Sequence, residues 1–173
     1  MKRTGFIIVM VGLMSLIAGL FSQQWLNAKQ QTMTAPEFHF PDTHGVDHSS
    51  DEWKGKVLII NFWATWCPPC REEIPEFIKL QAELKEKGVQ FIGIAVEDAD
   101  PVKDYMAFVD FNYPVLVGGD DASMLAMKMG NVLNTLPFSV VIDQSNKVVH
   151  TQMGVFSRDQ IMEVVRPLIG RGS

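Results

Sequence analysis

The chain has 173 residues, 47% of them hydrophobic, and a formal net charge of -5, a balance that suits one globular domain able to bury its own core. The acidic balance comes without any basic run and so argues against a nucleic-acid partner, because nothing is present to neutralise phosphates. The only two cysteines are near neighbours; this is no disulfide framework, and a zinc site would lack the second cysteine pair it ordinarily needs.

Lys2 and Arg3 precede an almost wholly apolar run, Phe6 to Phe21. A basic flank followed by an apolar run is the layout of an export signal or a signal anchor. Taken from Gly5 to Ser22 as a helix, the run would span roughly 27 Å, slightly short of a hydrocarbon core of about 30 Å, and Trp25 and Leu26 can extend it into the interface. No small-x-small site follows, and no cysteine is placed to take a lipid. Residues 1–26 are therefore expected to stay as a membrane anchor, residues 27–35 to be a polar linker, and residues 36–173 to form the exported domain.

Within that domain, Glu37 to Phe40 alternates in character and runs into the turn residues Pro41 to Gly45, which predicts a short hairpin at a sheet edge. Ser49, Ser50 and Asp51 offer caps for a brief helical turn that includes Trp53. Val57 to Phe62 is apolar and β-branched, the pattern of a buried strand, and it leads through a short turn to Cys67 at the start of a helix. The stripe Ile74, Phe77, Ile78, Leu80 or Gln81, Leu84 carries that helix to Lys87-Gly88, and Pro75 predicts a kink inside it.

A second buried strand is expected over Val89 to Val96 and a helix from Asp98 through Val109. A short strand over Tyr113 to Val117 and a helix over Ala122 to Met129 come next. Phe138 to Ile142 and Lys147 to Thr151 form a hairpin, and Ser157 caps a closing helix that includes Ile161 to Ile169. Strands alternating with helices, then a hairpin and a last helix, make an α/β sandwich around a mixed sheet.

A thiol at a helix N-terminus lies in the positive end of the peptide dipoles, which favours its thiolate. Cys70 follows one helical turn later and can attack a mixed disulfide formed at Cys67, so the pair points to dithiol–disulfide exchange. This chemistry requires an exposed, ionisable sulfur at Cys67. Pro68 and Pro69 would fill the first two helical positions without amide hydrogens, so the thiolate is stabilised only moderately and the dithiol is expected to act as a reductant.

The motif NFWATWCPPC, with TLPFSVVID further on, resembles the thioredoxin fold. The N-terminal anchor, the added hairpin and the insert between Asp98 and Asn134 make the chain similar to the TlpA/ResA-like membrane-anchored thiol–disulfide oxidoreductases. The resemblance implies a thioredoxin-like sandwich, a central mixed sheet flanked by helices with an N-terminal hairpin and a central insert. It implies a cis bond before Pro137, with the backbone of Leu136 open to pair with an extended substrate beside Cys67. Trp66 and Pro68, with Leu136 and Pro137, are then substrate-binding, while Trp63 reads as core.

Thioredoxins proper carry a buried aspartate six residues before the first cysteine, and Asn61 stands there in this chain. The resemblance offers Glu73, one turn beyond Cys70, as the carboxylate that assists proton transfer beside Cys67 and Cys70; solvation of a helix face is the competing reading for Glu72, Glu73 and Glu76. By the same resemblance the partners are client proteins with cysteine pairs, such as those awaiting haem or copper, and a membrane-embedded thiol electron donor. The setting is then a bacterial cell envelope, with a monomeric domain facing the outer side of the cytoplasmic membrane and needing no cofactor.

Rival readings use the same residues. A Sco-like copper-binding assembly factor would take Cys67, Cys70 and one of His39, His44, His48 or His150 as ligands, but its cysteine spacing is longer by one. A thiol peroxidase would need an arginine placed differently from Arg71, and a non-catalytic docking domain would have no use for the cysteine pair. Met124, Met127 and Met129 are spaced as core filling on a helix, and Glu97, Asp98 and Asp100 read as a solvated helix start that could border a client site.

Overall fold

A computed structural model of the chain describes residues 33–170; the expected anchor and most of the expected linker lie outside them. The elements follow in chain order: β1 (His39–Pro41), β2 (Asp47–Ser49), a 3₁₀ turn (Ser50–Trp53), β3 (Val57–Trp63), α1 (Pro68–Leu84) and β4 (Val89–Ala95). They continue with α2 (Ala99–Met106), β5 (Val115–Val117), α3 (Gly119–Lys128), β6 (Phe138–Ile142), β7 (Val148–Met153) and α4 (Arg158–Ile169).

The main sheet has five strands in the order β5-β4-β3-β6-β7, with β3, β4 and β5 parallel and β6 antiparallel to both β3 and β7. Strand β3 is buried along its whole length, as a central strand covered on both faces must be. Its alternation sorts the core in two. Val57, Ile59 and Trp63 pack with Ile74, Phe77 and Leu80 of α1 and Ile161 and Val165 of α4. Leu58, Ile60 and Phe62 pack on the other face with Phe38, Phe40 and Trp53 of the N-terminal hairpin region and Leu125 and Ala126 of α3. This is the thioredoxin-like α/β sandwich, with a two-stranded N-terminal hairpin.

Several boundaries differ from the periodicity reading. Helix α1 keeps Pro75 inside it, as expected, and its α-helical part ends at Leu84, with a 3₁₀ turn (Lys85–Lys87) carrying the chain to Gly88. Helix α2 stops at Met106 rather than Val109, because the chain must turn there to bring Phe111 against Tyr105 and Trp63 in an aromatic cluster. Helix α3 begins at Gly119, three residues before the expected start at Ala122.

Both Leu80 and Gln81 are buried. Strand β5 pairs only with Gly93 to Ala95, so the first half of β4, paired with β3 on one edge, has no strand on the other. The Gln81 side chain takes that place: its Oε1 accepts from the Phe91 amide at 2.7 Å and its Nε2 donates to the Val89 carbonyl at 3.5 Å. A buried edge needs such partners.

The hairpin is seated on the domain through Gly118. A methyl group there would lie 2.6 Å from the Ala122 Cβ and 2.8 Å from the Phe40 ring. Overpacking of this kind ordinarily costs about 1–3 kcal/mol. Gly118→Ala is therefore expected to lower the stability of the oxidised protein by that amount in urea unfolding, with Phe40→Leu in the same chain recovering part of the loss; an unchanged midpoint would show that Phe40 does not hold this position.

Candidate active site

Cys67 is the N-cap of α1 and Pro68 and Pro69 fill its first positions, so the first cysteine sits where β3 hands over to the helix. Its sulfur receives no capping hydrogen bond, as two missing amides dictate. Cys67 and Cys70 are joined in a disulfide. Their surroundings differ. Cys70 is fully buried, whereas Cys67 keeps 4% exposure and lines an open cavity of about 400 Å³ together with Trp66, Pro68, Val96, Asn134 and Leu136.

The sequence reading asked for an exposed sulfur at Cys67. The structure corrects this: the oxidised pair is largely covered, and Cys67 lines the cavity. The covering follows from packing, since Cys67 belongs to the same core cluster as Trp63, Ala64 and Ile74. Trp66 stands 66% exposed at the rim, while Trp63 is buried. The Leu136–Pro137 peptide is cis. Leu136 lines the cavity and Pro137 does not; the Pro137 carbonyl accepts from the Gly154 amide at 2.9 Å.

Glu73 does not solvate a helix face. It is buried, one turn along α1 from Cys70, while Glu72 is exposed and Glu76 pairs with Arg158. Asn61 Nδ2 donates to Glu73 Oε1 at 2.7 Å and to Ser139 Oγ at 3.1 Å, and the Phe156 amide donates to Glu73 Oε2 at 2.9 Å. Asn61 points this way because it shares the face of β3 that carries Ile59 and Trp63 toward α1. Burial pushes the Glu73 carboxyl up to about 7, against the opposing pull of the Phe156 amide and Asn61. The Tyr113 phenol is pushed up as well, first by burial and then by the charge of Glu73.

Two further supports of the site have no sequence signature. Glu97, at the end of β4, accepts from the Thr65 amide and from Thr65 Oγ1 at 3.0 Å, clamping the turn before Cys67. Asn131 is fully buried and brackets the loop that enters the cavity: its Oδ1 accepts from the Thr135 amide at 3.0 Å and its Nδ2 donates to the Thr135 carbonyl at 2.9 Å. The histidines do not converge on the cysteines. His48 bonds Glu52 at 3.0 Å, His39 and His44 are exposed in the hairpin, and His150 stacks on Phe156. Among the described residues no cluster of His, Cys, Asp and Glu is placed to hold a metal ion.

A redox pair, one sulfur at a cavity and the other sealed beneath it, beside a buried carboxylate, is an arrangement for thiol exchange. The family model described as Redoxin matches residues 30–165. The chain is a thiol–disulfide oxidoreductase of the Redoxin family. It is 30% identical to the thiol-disulfide oxidoreductase ResA of Bacillus thuringiensis, an alignment covering 92% of this chain and 93% of that protein. A ResA of Bacillus cereus is 29% identical over 96% of this chain and 97% of its own length. Among solved structures, a thioredoxin-family thiol:disulfide interchange protein of Chlorobium tepidum is 34% identical with a TM-score of 0.73, covering 81% of this chain and 98% of that one. These relatives place the oxidoreductase in the TlpA/ResA-like group.

The carboxyl of Glu73 sets a pH dependence. Its value rises from the ordinary 4.5 to about 7 on folding, so the folded protein binds the proton more tightly than the unfolded chain. The stability this contributes is complete below pH 4.5 and is lost as pH rises through about 7, a change on the order of 3 kcal/mol. In urea unfolding with the disulfide intact, Glu73→Gln should therefore gain stability relative to the parent as pH is raised across that window; parallel curves would show that the carboxyl is not buried in this way.

Proposed function

We propose that this oxidoreductase works as a disulfide reductase outside the cytoplasm, with Cys67 as the attacking thiol and Cys70 as the resolving one. The observation that carries the reading is the unequal setting of the two sulfurs: Cys67 lines the cavity and Cys70 is sealed in the core. A client sulfur entering the cavity meets Cys67 first.

In the forward direction the Cys67 thiolate attacks one sulfur of a client disulfide. The client S–S bond breaks, a Cys67–client bond forms, and the other client sulfur leaves as a thiolate that takes up a proton. Cys70 then gives up its proton and attacks the Cys67 sulfur, closing the Cys67–Cys70 bond and releasing the second client thiolate. The client gains two electrons and the enzyme loses two. Glu73, poised at about 7 one turn from Cys70, is the group suited to accept that proton near neutral pH. Trp66, Pro68 and Leu136 border the cavity, and Leu136 makes no backbone hydrogen bond among the described residues, so an extended client strand can pair there.

The direction follows from the prolines. Without amide hydrogens at Pro68 and Pro69 the Cys67 sulfur lacks capping donors, the reduced form is less stabilised, and the potential is more negative. Retention of residues 1–26 as an anchor, electrons from a membrane-embedded thiol carrier, and clients such as apoproteins awaiting haem or copper follow from the sequence pattern and the family likeness.

Equilibration with glutathione or thioredoxin should give a potential nearer that of thioredoxin, about -270 mV, than that of a strong periplasmic oxidant, about -120 mV; a value near the latter would overturn the direction. Cys70→Ser, folded and exported in the source cell, should accumulate clients disulfide-linked to Cys67. A folded, exported variant that traps none would count against the exchange cycle.

A further inference from the structure

The loop between α3 and β6 ends at the cavity and is built unlike an ordinary surface connection. Asn131, fully buried, is its brace: its Oδ1 accepts from the Thr135 amide and its Nδ2 donates to the Thr135 carbonyl, so the peptide groups on either side of Thr135 are both held. Asn134, which lines the cavity, sits at a φ of 48°, the left-handed region that asparagine enters more readily than other side-chain-bearing residues. Between these two, the braced loop presents Val132 at 74% and Leu133 at 68% exposure, with Trp66 at 66% across the same active-site end.

Isolated surface hydrophobics need no explanation, but consecutive ones on a rigid loop beside a reaction cavity do. The exchange reaction says what must cover them. Cys67 lines the cavity together with Trp66, Asn134 and Leu136, and Leu133 directly precedes Asn134 in the chain, so a client whose sulfur reaches Cys67 through this cavity brings the residues flanking its cysteine beside the loop. An open cavity of about 400 Å³ has room for a side chain or two of an extended segment. Ser123 and Asn134 also line it, which puts a hydroxyl and an amide where a client backbone would pass.

We propose that Val132 and Leu133, fixed by Asn131, are a specificity ridge that selects cystine-bearing polypeptide segments with apolar residues next to the reacting cysteine. This rests on Cys67 being the attacking thiol, as proposed above, and adds what flanks the client's sulfur. Val132 and Leu133 touch neither the cysteines nor Glu73 in this scheme, so they set selection and leave the exchange chemistry alone.

The test uses the reduced protein and three disulfides: glutathione disulfide, a cystine peptide flanked by glycine and serine, and a peptide of equal charge flanked by leucine and valine. Wild type should reduce the apolar peptide with the largest second-order rate constant. The Val132→Ser/Leu133→Ser variant, checked by thermal unfolding, should lose that preference by about tenfold or more, as lost apolar contacts of this size do, with glutathione disulfide reduced at the parental rate. Val132→Ile/Leu133→Met keeps the ridge apolar and should keep the preference. If the serine variant is unstable, Asn131→Asp gives a second arm: loosening the brace should also erase the preference and spare glutathione disulfide. Equal rates for the two peptides in wild type, or equal losses on all three substrates in the variants, would overturn the ridge while leaving the exchange chemistry standing. Failure of wild type to reduce even glutathione disulfide would overturn the exchange reading and the ridge with it.

Discussion

A carboxylate removed from water must find donors or give up its charge, and Glu73 does some of each. Its two oxygens take hydrogen bonds from β3 through Asn61 and from the segment before α4 through the Phe156 amide. Two parts of the fold are thereby tied to one side chain of α1, one helical turn from Cys70. The register of α1 against β3 is not free to slip, because a slip would leave the carboxyl buried without partners. The same bonds hold the helix that positions Cys67 at the end of the central strand.

That tie shows how the site departs from thioredoxins proper. The acid expected on the strand is an amide here, Asn61, and the acid is supplied from the helix by Glu73. Strand and helix meet here through one hydrogen bond in the core, with the strand's amide as donor and the helix's carboxylate as acceptor. The amide also reaches Ser139 on β6, directly opposite Asn61 in the antiparallel ladder, so the polar cluster is held by β3, β6, α1 and the segment before α4.

Above this buried layer the cavity is shaped by braces that do no chemistry. Glu97 restrains the turn before Cys67 through Thr65, and Asn131 restrains the loop that carries Asn134 to the rim. Each satisfies backbone groups that the turn would otherwise leave unpaired. Rigid surroundings of this sort let a small cavity admit a client cysteine to one sulfur while keeping the other covered.

Much of this was legible in the chain itself. An apolar strand, a cysteine at its end, prolines in the first helical turn and a second cysteine one turn on place the dithiol at a helix N-terminus, because period and capping are local properties. The hairpin, the order of strands and helices and the capping serines at Ser49 and Ser157 were readable for the same reason. Glu73 could be named from its spacing, but nothing local distinguishes it from Glu72 and Glu76: its partners lie 12 and 83 positions away. The roles of Gln81, Glu97 and Asn131, and the covering of Cys67 to 4% exposure, were likewise decided only by tertiary packing, since whether a polar side chain meets water or a backbone group depends on what the fold lays over it.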